Sequence, residues 1–398
     1  LRRENHKVGD EVKKHLSWAL ALLACAGTAR AELNAMIAVE PTSKQDSFMV
    51  KRDKVEEALA KASGQSVKVS ISEDLSDVMR ATRAGEFDVY IAPPQIAASA
   101  LLRGFELVGS TEQVERFVLV GRAQTVGVAY LRGGALYLPS QDSIYTYVAR
   151  GMLNAAGLSF KDMGRIEHAR YPGAGLVAVR LGYADATVVR MREWESWSAA
   201  ERHMLKPLAT SLPVPGGLSV VVRKDLPAAA RDNIVRWFAV SGRTAGVKPL
   251  DAHADLAQYK AVAELGFFTP TVLPGATVVT AKEVQELIAA GATVVDTRTE
   301  REYKAKHIPT AIFIPYHEKS LKDIAFDGSK DDFSEIKQLT DKEAPTVFSC
   351  NGAECWKSYK ASRTAVAAGF KKVYWFRGGL PEWEASGLRI ETAVAKAS

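Results

Sequence analysis

Three cysteines in 398 residues, at positions 25, 350 and 355, are too few to staple a fold, so a disulfide framework is excluded. Long apolar runs are also lacking. The one clear run, "LSWALALLACAGTA" near the N-terminus, is too short to span a bilayer comfortably. No block of like charge occurs, and half of the formal net charge of +6 sits in residues 1–31, which hold six Lys/Arg and three Asp/Glu. With no basic stripe interleaved with aromatics, nucleic-acid binding is not expected. The only histidines near the C-terminal cysteine pair in sequence, His307 and His317, are too distant to complete a tetrahedral zinc set, so no metal is expected, and no cofactor either. Internal repeats and low-complexity tracts are absent. What remains is a globular composition, 47% hydrophobic and 25% charged, with length for two or three domains.

The N-terminus reads as an export signal. Lys13 and Lys14 precede the apolar run, and Ala29–Ala31 ("ARA") supply the small residues around a cleavage point before Glu32. "LLAC" at Leu22–Cys25 also has the shape of a lipoprotein box, with Leu23 a poor fit, so cleavage after Ala31 is preferred to lipidation at Cys25. A periplasmic chain retaining only Cys350 and Cys355 is the expectation.

From residue 34 onward, short β-rich runs alternate with amphipathic helical stretches: "AMIAV", "DKVEEALAKASG", "VKVSI", "LSDVMRATRAGE", "FDVYIAP". This spacing predicts a parallel α/β arrangement. It continues through "RFVLVGR", "GVAYL", "ALYLPS", the helix "IYTYVARGMLNAAG", "ATVVR" and "GLSVVVRKDLP", long enough for two lobes. "FFTPTVLPGA" (267–276), with two prolines and a glycine, predicts a linker, after which strand–helix alternation restarts. The expected organisation is a signal segment 1–31, a two-lobed domain 32–266, the linker, and a smaller α/β domain 277–392.

The smaller domain carries the densest chemistry. "VFSCNGAECWKS" places Cys350 after an apolar strand and before a helix, where backbone N–H groups and the helix N-terminus stabilise a thiolate. Asp296 and Arg298 after the second strand, Glu302 and Tyr303, "HIPTA" from His307, "RGG" at Arg377–Gly379 and Trp383 occur in order around it. Together these pieces resemble the rhodanese (sulfurtransferase) domain. The resemblance implies Cys350 as the sulfur-accepting thiolate, working through a persulfide. It also implies a substrate loop of Asn351, Gly352, Ala353, Glu354, Cys355, Trp356 and Lys357. Asp296, Arg298 and His307 read as structural. The family loop has four residues between the cysteine and, commonly, an arginine; here six residues separate Cys350 from Lys357, with Ser358 opening the helix. The longer loop encloses a larger anion or re-aims its N–H groups, and Lys357 offers a point charge instead of a planar fork. Cys355 has two readings, a small filler beside Trp356 or a resolving thiol that closes a reversible disulfide with Cys350.

In the larger region, "RAGEFDVYIAPPQIA", "GALYLPSQDSIYTYVARGML" and "GLVAVRLGYADATVV" resemble the periplasmic solute-binding proteins of phosphonate-type ABC transporters. The resemblance implies two lobes joined by crossing strands, with ligand in the cleft. Ser140 and Ser143 at a helix start are candidates to cradle an oxyanion, or plain N-cap residues. Pro93 and Pro94 are candidates for the opposing wall. Family carboxylates of the second lobe meet a ligand amine; here Arg190 and Arg192 stand after that strand, as anion ligands or as solvated arginines. The resulting expectation is an exported sulfurtransferase taking sulfur from a small donor to a thiol, cyanide or a sulfur-relay protein. Its N-terminal module would bind a small anionic solute, with an ABC transporter as a further partner. The alternative is a solute-binding protein whose rhodanese domain is accessory, redox-sensing or inactive.

Overall fold

Four-residue strands buried at every position, such as "VYIA" and "TVFS", require cover on both faces, and the helices between them provide it. The computed structural model describes residues 32–40, 52–240 and 256–392. The proposed signal segment, Cys25 included, lies outside them. Among the described residues, no helix is long and apolar enough to cross a membrane.

Three five-stranded sheets organise the chain. The first-lobe sheet runs, in spatial order, Val67–Ser72, Leu33–Ala38, Val89–Ala92, Val214–Arg223, Phe105–Glu115. The second-lobe sheet runs Arg165–His168, Ala135–Leu138, Ala186–Arg190, Phe117–Arg122, Leu205–Thr210. The chain crosses between lobes twice, from Phe105–Glu115 into Phe117–Arg122 and back from Leu205–Thr210 into Val214–Arg223. This is the expected two-lobed architecture. The C-terminal sheet is wholly parallel, in the order Thr277–Val278, Val373–Phe376, Thr346–Ser349, Thr293–Asp296, Ile312–Phe313. Its two faces are buried by separate clusters, one around Val294, Val347 and Trp383, the other around Val295, Phe348 and Phe370.

Local chemistry sets the element ends. The helix Leu75–Ala84 starts where Asp74 accepts from the Asp77 amide and stops at Gly85, whose φ of 65° is the left-handed conformation glycine adopts without cost. Thr280 and Glu283 form a reciprocal capping box on Ala281–Ala289. One expected strand is not there. "GVAYL" forms a 3-10 turn at Val128–Leu131, whose spacing of three brings Val128 and Leu131 to the core while Tyr130 lies open to solvent.

The stretch 267–276 is an ordered strap. Phe267 is buried against Tyr147 and Phe160, and its carbonyl accepts from the Trp356 indole at 2.7 Å. Thr269 donates twice to the Ala353 carbonyl, and Arg377 donates to the carbonyls of Thr269 and Pro270. Side chains complete the joint. Asp142 pairs with Lys322 at 2.7 Å, Arg103 with Glu354 at 2.5 Å, Arg80 with Glu302 at 3.1 Å, and Arg301 with Glu86. The first lobe therefore sits directly on the thiol loop.

Candidate functional site: the thiol loop and the inter-lobe cleft

Strand Thr346–Ser349 delivers Cys350 to the carboxyl edge of the C-terminal sheet, and helix Trp356–Ala367 leaves from the other end of the loop. Cys350 is 1% exposed and is disulfide-bonded to Cys355, with the two Cα atoms 6.2 Å apart. Of the loop amides, Cys355 donates to the Gly352 carbonyl. Among the described residues, the amides of Asn351, Gly352, Ala353 and Glu354 have no acceptor, and of these four residues Asn351 lines the cavity beside the cysteines.

A buried polar network holds the loop from below. Arg298 binds Asp296 through Nε and Nη2, reaches Asn351 Oδ1 at 3.3 Å, and Asn351 Nδ2 donates to Glu302 at 2.5 Å. Burial alone would raise the Glu302 pKa, but Arg80, the Thr299 hydroxyl and amide, and Arg298 outweigh it and hold it at about 2. His307 stacks on Tyr303 and bonds its carbonyl, away from the sulfurs. Lys360, with no exposure, ties Glu318 and Ser320 beneath the loop and thereby places the segment 317–322 at its rim.

Cys350 and Cys355 line a cavity of about 340 Å³ whose walls come from both domains. Asn351, Trp356 and Lys357 border it from the loop, Arg298, Thr299 and Glu302 from the turn and helix that follow strand Thr293–Asp296, and Asp77, Arg80 and Arg83 from the first lobe. Lys357 is half-buried, and desolvation lowers its pKa, opposed by Glu302 and Glu318. The first-lobe residues were not foreseen from sequence, where nothing marks one arginine of an amphipathic helix from another.

The inter-lobe cleft is a second, smaller space of about 190 Å³, lined by Glu40, Glu73, Pro139, Ser140, Ser143, Ala169 and Arg170. Ser140 and Ser143 thus come together there. Ser143 is also the N-cap of helix Ile144–Ala155, accepting from the Tyr145 amide. Pro93 and Pro94 cap and open the helix Pro94–Leu101 and do not line this space. Arg190 does not line it either. It is buried, pairs with Glu115 at 3.2 Å and lies over the Tyr145 ring. Arg192 pairs with Glu112.

Family comparison identifies both halves. The model of the phosphonate ABC transporter periplasmic substrate-binding protein family matches residues 37–264, more than half of the chain. The chain belongs to that family. A rhodanese-like domain follows it, matched over residues 280–386. The rhodanese domain is 31% identical over 128 residues to the chloroplastic rhodanese-like domain-containing protein 14 of Arabidopsis thaliana, spanning 25% of this chain and 57% of that relative's length. It is 30% identical over 104 residues to the thiosulfate sulfurtransferase GlpE of Actinobacillus pleuropneumoniae, 26% of this chain and 81% of that one. Among solved structures, PhnD1 of Prochlorococcus marinus in complex with methylphosphonate aligns over 59% of this chain and 97% of its own, with TM-score 0.45 and 15% identity.

In the binding-protein domain, the residue that sequence reading missed is Glu40. Its Oε1 accepts from the Ile144 amide at 2.9 Å, so the chain's own carboxylate occupies the helix N-terminus expected to receive an oxyanion. Oε2 is buried and has no hydrogen-bond partner among the described residues. Burial raises the Glu40 pKa to about 7, against the lowering effects of Ser143, Arg190 and the Ile144 amide. A carboxyl with a raised native pKa favours folding at low pH and loses that contribution as pH rises through the native value. Glu40→Gln keeps an acceptor for Ile144 and removes the titration. Between about pH 5 and 8 the wild type is expected to lose roughly 3 kcal/mol relative to Glu40→Gln. Urea denaturation across that range checks this, and parallel pH profiles would refute it.

Proposed function

We propose that this chain is an exported sulfurtransferase that carries sulfane sulfur on Cys350, with a binding-protein domain that takes a small anionic solute. The observation carrying this reading is the placement of Cys350 itself, at a strand end, among four unspent backbone donors and beside the half-buried Lys357. A thiol reductant first opens the Cys350–Cys355 bond by two exchange steps, leaving two thiols and an oxidised reductant. The Cys350 thiolate then attacks the outer sulfur of a donor such as thiosulfate. The donor S–S bond breaks, sulfite leaves with the electron pair, and a persulfide remains. A thiophilic acceptor such as cyanide or a thiol takes the outer sulfur and returns the thiolate. Family membership supports export to the periplasm and an ABC transporter as partner of the solute module. The test is intact-mass analysis of the reduced protein after thiosulfate or polysulfide treatment. One added sulfur on Cys350 supports the reading; an unchanged mass with every donor ends it.

The disulfide favours a second reading, in which the rhodanese domain reports redox state to a solute-binding protein. Cys355→Ser separates the two. The variant is expected to retain sulfur transfer under reducing conditions and to resist mild oxidants that silence the wild type. Identical losses on oxidation would reduce Cys355 to a packing residue.

A further inference from the structure

The cations around the thiol cavity are not equivalent. Arg298 is committed to Asp296, Lys322 to Asp142, and Arg80 to Asp77, Glu86 and Glu302. Lys319 is exposed. The carboxylates are engaged as well: Asp77 and Glu302 by Arg80, Glu318 by Lys360, and Asp74 as a helix cap. Arg83 differs. Its side chain is 6% exposed, its only ion contact among the described residues is Glu354 at 3.9 Å, and that carboxylate is already held by Arg103 at 2.5 Å. Among the described residues the Arg83 guanidinium makes no hydrogen bond, and its Nε is buried without an acceptor. A guanidinium has five donors, and burying them unspent is costly unless a ligand takes them up. Lys357, half-buried in the lining of the same cavity, likewise has no acceptor among the described residues.

We propose that the binding-protein domain completes the rhodanese site, with Arg83 and Lys357 forming a seat for a small sulfur oxyanion in the cavity that holds the Cys350–Cys355 pair. Both residues line the same cavity as Cys350, Asn351 and Cys355. The planar fork of Arg83 suits two oxygens of one anion, and Lys357 adds a second positive charge to neutralise it. The cavity of about 340 Å³ restricts the ligand to a small molecule. Arg83 therefore serves where the rhodanese loop itself offers a lysine, and the seat exists only while the two domains are docked. The choice of a sulfur anion rests on the sulfurtransferase reading; the seat itself rests on the geometry.

The test uses the full-length Cys350→Ser/Cys355→Ser protein, which has no thiol left in the cavity, titrated calorimetrically with thiosulfate, sulfite and sulfate. Thiosulfate is expected to bind, and adding Arg83→Gln should weaken it at least about tenfold, the effect of losing charge-assisted hydrogen bonds. Lys357→Met should weaken it comparably. If Arg83→Gln fails to fold, Arg83→Lys, which keeps the charge but not the fork, is expected to bind several-fold more weakly and decides the matter. Unchanged affinity in these variants, or no anion bound by the parent, overturns the seat even if wild-type Cys350 gains a sulfur. Arg83-dependent binding without any sulfur gain in the wild type would retain the seat and remove the transfer chemistry.

Discussion

Replacing Cys350 with serine is expected to bring sulfur transfer to background while leaving the fold intact. The chemistry requires an atom that is nucleophilic as an anion near neutral pH and can hold a second sulfur in a labile bond; a hydroxyl does neither. The substitution is nearly isosteric, and Cys350 is anchored through its backbone, where its carbonyl accepts from the Leu380 amide. Thiocyanate formation from donor and cyanide measures the activity, and a melting curve measures the fold. Turnover close to wild type would move the nucleophile to Cys355, the other sulfur on the cavity wall, or end the enzymatic reading.

Asp142→Ala is expected to undock the two domains. The Asp142–Lys322 pair is buried on both sides, at 2.7 Å, and the same loop adds the Lys322 amide bond to Gln141 and the Gln95 bond to the Asp142 carbonyl. Removing the carboxylate strands a buried ammonium, a change that costs about 3–5 kcal/mol when one member of such a pair is deleted. The cost falls on the joint, so the strap 267–276 should become a protease-sensitive site while each domain keeps its own core. Lys322→Met in the same chain removes the stranded charge and should restore much of the resistance. A strap cut no faster in Asp142→Ala than in the wild type would show that the pair contributes nothing to docking.

Much of the architecture was legible because its signals are local. Strand–helix alternation, the capping residues and the thiol loop all lie within stretches a dozen or so residues long. "GVAYL" was misread because short apolar runs do not distinguish a strand from a tight turn until burial is known. The rest of the candidate site was hidden by distance along the chain. Arg103 meets Glu354 across 251 positions, and Glu40 meets Ile144 across 104. In sequence, Glu40 is a carboxylate ending a strand and Arg83 one arginine of an amphipathic helix. Only the docked fold shows that one is buried at a helix start and the other beside two sulfurs. Arg190, singled out for its position after a strand, is instead held by the buried carboxylate of Glu115.

The disulfide closes a covalent ring through residues 350–355, and that ring doubles as a fastening. The Ala353 carbonyl receives both bonds from Thr269, and the Glu354 carboxylate receives Arg103, so the atoms between the two sulfurs also belong to the joint. Electrons entering the ring free the very backbone on which the first lobe rests. Reciprocity then runs the other way: whatever clamps the lobe harder, a captured solute included, alters how readily the ring opens. On this arrangement, oxidation state and domain posture are expected to shift together.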